Sequence, residues 1–286
     1  MHSIGDITIH LINDGITQAD AGGPFGLVPR ALYSRYFMPD EQFMIPMTLH
    51  CLLVQVDGRN ILIDTGLGDK LSAKALSNWG LTRPQGSLLD GLARLNLHPE
   101  DIDIVINTHL HADHCSGNTQ IDESGQVVPT FPNAEYVAQR REFTDAINPN
   151  ERTAGTYDDI NWNALVERGQ LHLLDGDKEI VPGVRGVITP GHTPGHMSVI
   201  IESAGQSALF ACDMASFAVH FERLAWMTAY DVEPLVTLET KRKWQVWASQ
   251  NNALVVFPHD SKRPAGQLVQ DEDGHYRLSA VPFAYV

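Results

Sequence analysis

Alternation of apolar and polar residues with a period of two predicts strands in "DITIHLI", "HCLLVQV", "RNILID" and "DIDIVIN", joined through turn formers such as "DG" and "GLG". Helical spacing predicts helices over about 70–79, 87–96, 139–147 and 158–168. The succession then starts afresh. "GVRGVITP", "HMSVIIES" and "QSALFACD" read as strands, the last two joined into a hairpin by a short "AGQ" turn. A helix over about 235–250 leads to the buried-strand pattern "ALVVF". Each half supplies strands and then helices, the layout of an α/β sandwich with helices outside two sheets.

Segments 18–47, 118–133 and 214–234 follow no period. The first is rich in Gly, Pro and aromatic residues, and long irregular stretches in compact domains are often lids or binding loops. No stretch has linker composition, so residues 1–286 are expected to form one domain, with the segment at about 18–47 as a lid or a dimer arm. Packing of the apolar 22–38 stretch on a neighbour would make a homodimer.

Composition narrows the function. The formal net charge is −15, from 35 acidic against 20 basic residues, with no basic block, which argues against nucleic acid as a partner. No apolar run is long enough to predict a membrane span. The start "MHSIGDITIH" lacks a basic stretch followed by an apolar one, so a cytoplasmic location is expected. Cys51, Cys115 and Cys212, at scattered spacings, fit a reducing compartment and read as small buried residues. In a strand, Cys212 would point away from the face that Asp213 occupies.

The chemistry concentrates in "NTHLHADHCSG", residues 107–117. At an extended strand end, His109, His111 and Asp113 would alternate onto one side, and a sharp turn would bring His114 beside them. Burying so many titratable groups without a counter-charge is costly, and a metal ion removes that cost. Imidazole with carboxylate suits zinc or a similar first-row ion, whereas thiolates mark closed structural zinc sites. One turn cannot surround an ion, so further ligands must come from elsewhere. "TPGHTPGH" offers His192 and His196, "ALFACD" ends in Asp213, and "VVFPHD" ends in His259 and Asp260. Each stands where a buried strand meets a loop.

"THLHADH", followed by "GHTPGH", a strand ending in Asp213 and a later one ending in His259, resembles the metallo-β-lactamase superfamily. The resemblance runs from "HCLLVQVDGRNILIDTGLG" to "VVFPHD". It implies that superfamily's αββα sandwich, two mixed sheets flanked by helices, with two divalent metal ions at one edge of the sheets. Residue by residue it implies His109, His111 and His192 on the first ion, Asp113, His114 and His259 on the second, and Asp213 bridging both. Zinc is the expected metal, with Co2+, Mn2+ or Fe2+ as alternatives. His196 falls outside this set and reads as a packing or supporting residue. Asp64, in "IDTG", matches the superfamily's aspartate that orients a ligand histidine. Asp260 either does the same or is exposed.

The implied reaction is hydrolysis, since two ions about 3.5–4 Å apart lower the pKa of a shared water and polarise the bond that the resulting hydroxide attacks. No convincing G-x-S-x-G elbow competes with it. Class B1 β-lactamases carry Cys where this chain has Asp213, and flavodiiron proteins need a Glu in the first motif and a flavodoxin domain. RNA-processing branches need positive surface, and for a glutathione thioesterase "KRK" at 241–243 is weak support. "DAGGPFGLVPRALYSRYF" and "LAWMTAYDVEP" look closest to the YtnP-like quorum-quenching lactonases, in a branch shared with methyl parathion hydrolase.

The resemblance therefore implies that a metal-bridging hydroxide opens lactone rings, foremost those of N-acyl-homoserine lactones, with Asp113 passing the proton on. An organophosphate triester hydrolase is the alternative reading, and a non-catalytic metal-binding scaffold the second. The chain departs from the best-known lactonases at Ser216, where they carry a Tyr that contacts the lactone carbonyl; His220 and Tyr230 are candidates to replace it. An apolar wall for an acyl tail is expected from Phe25, Leu27, Phe37, Met214, Phe217 and Trp226.

Overall fold

The computed structural model describes residues 1–286, and its strands form two seven-stranded sheets and one small hairpin. The first sheet runs His2–Ile4, Ile7–Asp20, Met44–Val56, Arg59–Ile63, Ile104–Ile106, Glu135–Gln139, Leu171–Leu174. Its pairs are antiparallel up to Arg59–Ile63 and parallel beyond it. The second takes its strands in chain order, Lys178–Val181, Val184–Ile188, Met197–Ser203, Gln206–Phe210, Leu254–Val256, Ala265–Gln270 and Tyr276–Ala280. Only Gln206–Phe210 and Leu254–Val256 pair in parallel there, and the crossover between them carries the long helix Pro234–Gln250.

The period of two decides what each face buries. Ile9, Leu11, Leu52, Val54, Ile61 and Ile63 meet Val199, Ile201, Phe210, Leu254 and Val256 of the other sheet in one cluster. Their alternates Ile12, Leu53, Leu62 and Val105 pack outward on Leu88 and Leu92 of the helix Leu88–Arg94 and on Trp162. On the far side Ile200, Leu209 and Val255 pack on Trp244 and Ala248 of Pro234–Gln250. Each such side chain contributes about 1.5–3 kcal/mol of burial. The result is two mixed sheets flanked by helices, the expected sandwich. No helix is long and apolar enough to cross a membrane.

Local signals set the boundaries. Ser87 caps Leu88–Arg94 in a box with Asp90, and Pro234 starts the long helix where its missing N–H costs nothing. The "AGQ" hairpin turns through Ala204 and Gly205, both at positive φ. Residues 158–168 are not one helix but a 3-10 turn, Asp159–Asn161, followed by Asn163–Glu167. The strands Leu171–Leu174, Lys178–Val181, Ala265–Gln270 and Tyr276–Ala280 were not expected; most lie at sheet edges, half exposed, where alternation is blurred.

The irregular segments are structured. Within 18–47 the strands continue to Asp20 and resume at Met44, with one-turn helices Gly22–Phe25 and Arg30–Tyr33 between them. Their side chains Phe25, Val28, Tyr33 and Phe37 are buried against Phe217 and Val219 of the third segment. Residues 118–133 hold the small hairpin Thr119–Ile121 with Val127–Pro129.

Candidate metal centre

The strand Ile104–Ile106 delivers the first motif to the edge of the sandwich, where His111 precedes a one-turn helix, Ala112–Cys115. Asp113 and His114 are thus placed by a helical turn, and Asp113 does not share the strand alternation expected for it. The strand Gln206–Phe210 also stops early, and Cys212–Met214 form a 3-10 turn. This corrects the expectation for Cys212. Without strand alternation its thiol is not turned away: Sγ lies 2.9 Å from Thr108 Oγ1, 3.4 Å from Asp64 Oδ2 and 3.5 Å from His114 Nδ1. All three cysteines are free and buried.

Asp213 stands at the middle of the histidines. Its Oδ2 lies 3.2 Å from His114 Nε2, 3.4 Å from His192 Nε2 and 3.7 Å from His109 Nε2, and its Oδ1 is 3.3 Å from His259 Nε2. The donor atoms of His109, His111 and His192 lie within 4.8 Å of one another, as do those of Asp113, His114 and His259. Asp113 Oδ2 is 3.6 Å from both His114 Nε2 and His259 Nε2. The structure therefore gathers every candidate ligand into one cluster joined through a single carboxylate.

The donor atoms fit divalent ions. Nε2 of His109, His114 and His259 and Oδ1 of Asp213 are buried with no hydrogen-bond partner. Each such orphan costs about 1–3 kcal/mol unless something pairs with it. Burial holds His109 and His111 well below the ordinary imidazole range, reinforced by repulsion from neighbouring rings. Burial would raise Asp213, but His259, His192 and His114 keep its carboxylate well below the usual range. Burial works against the charged forms of His114 and His192 too, but neighbouring charges raise both, so a cation that binds here displaces protons from the cluster.

The opposite ring nitrogens are tied down. His114 Nδ1 donates to Asp64 Oδ2 at 2.9 Å, His192 Nδ1 to Asp231 Oδ1 at 3.0 Å, and His259 Nδ1 to Thr48 O at 2.7 Å. His109 Nδ1 lies 3.1 Å from Thr108 Oγ1. Such contacts fix each ring's tautomer and aim Nε2 at the centre. Asp64 also accepts the Thr108 N–H, and holds its left-handed backbone, φ 58°, directly behind His114. His196 is a support: burial pushes its pKa down to about 3, Nδ1 donates to Thr189, and Nε2 accepts the N–H of Asp213 at 3.1 Å. Asp260 is buried, not exposed, and caps the N–H groups of Ala218, Lys262 and Arg263.

A cavity of about 410 Å³ opens over this cluster. Its floor is His111, Asp113, His192, Asp213 and His259, its walls include Pro24, Met44, Met47, Trp79, Phe217 and Tyr230, and no Lys or Arg lines it. Of the expected wall residues only Phe217 is there, joined by Tyr230, one of the two candidates for the missing Tyr. Phe25 and Phe37 are buried behind the wall, Phe25 stacked on Tyr33 at 4.6 Å between ring centres. Trp226 sits edge-on to Phe25 and Tyr36, Met214 lies in the core under the second sheet, and Leu27 is fully exposed. His220 is enclosed between Phe25 and Phe217, away from the cavity. Aromatic residues near the motif thus anchor the wall more than they form it.

Ser216 reaches the cavity, as does Tyr230, whose hydroxyl is close enough to Gly23 that a Cβ there would come within 1.9 Å of it. Sequence reasoning missed Met44, Met47 and Trp79, which lie at element ends with no motif. It also missed Asp231, within the irregular 214–234 segment, and Glu142, which reads as an ordinary charge on a surface helix.

The family model described as Metallo-beta-lactamase superfamily matches residues 46–225, a span that holds every candidate ligand except His259. An N-acyl homoserine lactonase from a Bacillus species is 27% identical over 243 residues, 80% of this chain and 88% of its own. The crystal structure of a probable metal-dependent hydrolase from Staphylococcus aureus is 35% identical, with a TM-score of 0.87 over 98% of this chain and 100% of that one. AidC, a dizinc quorum-quenching lactonase, shares the fold at 19% identity, with a TM-score of 0.78 over 98% of this chain and 97% of its own.

Proposed function

The chain belongs to the metallo-β-lactamase superfamily of hydrolases, and we propose that it uses two divalent ions, zinc foremost, to open uncharged lactone rings, above all those of N-acyl-homoserine lactones. The observation that carries this reading is the cavity: a floor of imidazole and carboxylate donors, Asp113 among them, under walls that hold Asp20 but no Lys or Arg. The bound ions would be the only positive charge in this cavity, so a substrate's carboxylate or phosphate lying away from them would lose hydration and find no cationic partner on the walls. A neutral ester loses little. The likeness to a relative named N-acyl homoserine lactonase supports the choice of ester.

His109, His111 and His192 would hold one ion, Asp113, His114 and His259 the other, and Asp213 both. When bound, the ions supply Lewis acidity that makes water nucleophilic near neutral pH and polarises a carbonyl. The chain's own residues do the rest. Asp113, the most open of the acidic donors, is the carboxylate on hand to take a proton from water and return it to the leaving ring oxygen. Ser216 and Tyr230 offer wall hydroxyls to the substrate's carbonyls, and Met44, Met47 and Trp79 offer apolar surface to an acyl tail. Burial of the 18–47 segment against Phe217 and Val219 supports its role as a wall in preference to a dimer arm.

One substrate panel on zinc-loaded protein tests the proposal: homoserine lactones of rising acyl length, simple γ- and δ-lactones, paraoxon-type triesters, a β-lactam and a glutathione thioester. Lactones are expected to give the highest kcat/KM, triesters slower turnover, and the charged substrates little. A pH-stat should record one proton per lactone opened. Triester rates above every lactone would establish the organophosphate hydrolase instead, and no turnover with both ions bound would leave the metal-binding scaffold.

A further inference from the structure

The two donor sets rest on partly different supports, with Asp64 reaching both His114 and, through Thr108, His109. Asp64 and the Thr48 carbonyl hold His114 and His259 from one side of the centre. On the other side a fully buried carboxylate, Glu142 of the helix Arg140–Ile147, reaches both loops that carry His109, His111 and His192. Its Oε1 accepts the N–H of Leu110 at 3.0 Å, between His109 and His111, and its Oε2 accepts the hydroxyl of Thr193, next to His192, at 2.5 Å. Oε1 also accepts the Tyr157 hydroxyl at 3.0 Å, and the Tyr157 ring lies 5.3 Å from that of His111.

The backbone makes the same junction. A Cβ on Gly195, in "GHTPGH", would come within 2.2 Å of the Glu142 nitrogen, so the helix sits flush against the His192 loop only because that position is glycine. Leu110 and Thr193 belong to loops far apart in sequence, and this carboxylate binds both. It makes no hydrogen bond to His114 or His259, nor to Asp64 or Thr48 that hold them.

We infer that Glu142 is a positioning residue for the set His109, His111 and His192, and that it governs the affinity of the ion held there more than that of the ion held by Asp113, His114 and His259. The inference rests on the two-ion reading proposed above. Loss of Glu142 widens the spacing between the His109–His111 turn and His192 while the Asp64 and Thr48 contacts stay in place. Outer partners of metal ligands typically govern about 10–100-fold in affinity.

Stepwise competition of zinc against a chromophoric chelator, with elemental analysis, tests this. Glu142→Ala should weaken one ion about 10–100-fold and leave the other nearly unchanged, reproducing the profile of His192→Ala and not that of His259→Ala. Glu142→Gln, which keeps an acceptor for the Leu110 N–H, should shift the same ion less, and Gly195→Ala should shift it too; both serve should Glu142→Ala fail to fold. Leu92→Ala, buried on the far side of the first sheet, controls for lost stability and should change neither step. Equal weakening of both ions, no change, or a profile like Leu92→Ala overturns the role of Glu142. An unaltered protein that binds fewer than two ions overturns the two-ion reading itself.

Discussion

Asp213→Ala should lose both ions' shared ligand at once, with kcat/KM falling by about three orders of magnitude or more, since the Lewis-acid contribution is several kcal/mol and each 1.36 kcal/mol is tenfold. The geometry behind this is one carboxylate within 3.2–3.7 Å of four imidazole nitrogens. The unaltered protein should carry close to two divalent ions by elemental analysis, and chelator should abolish hydrolysis until metal is restored. Its Tm should rise with zinc, because a ligand at about a hundred times its Kd adds about 2.7 kcal/mol. The Asp213→Ala protein should show little of that rise. A fully active Asp213→Ala protein holding a single ion would defeat the binuclear assignment.

Phe25→Ala should cost about 3–5 kcal/mol in urea unfolding, the usual result of emptying a buried aromatic position. Phe25 is fully buried, stacked on Tyr33 and in contact with the rings of Phe37, Phe217, His220 and Trp226. Because Phe217 faces the cavity on its other side, the wall should loosen as a whole, raising KM for short and long acyl chains alike. Leu27→Ala, two residues on and fully exposed, should stay within about 0.5 kcal/mol of the unaltered protein. Unchanged stability in Phe25→Ala together with a KM rise confined to long chains would return Phe25 to the cavity lining.

Much of the architecture was legible in the chain because burial imposes a period. "HCLLVQV" and "HMSVIIES" alternate since each strand faces the other sheet on one side and helices on the other, and both stand where the alternation put them. Edge strands such as Leu171–Leu174 and Tyr276–Ala280 escaped, because half-exposed residues carry no clear period. The compact motif from His109 to His114 was visible for a different reason. Its donors come from one short turn, so local geometry alone nearly brings them together.

The sequence by itself determined the strand faces, the main helices, the six-residue motif and the chemical types of its distant partners. Only the tertiary structure decided that Asp213 lies within reach of His109, His114, His192 and His259, that Cys212 lies behind the ring of His114, and that Glu142 and Asp231 are buried supports. Periodicity records which face of an element is covered and says nothing of what covers it. A buried carboxylate is stable only through partners such as Leu110, Tyr157 and Thr193, which lie elsewhere in the chain, and the cavity wall is drawn from the ends of elements that meet only once both sheets have packed.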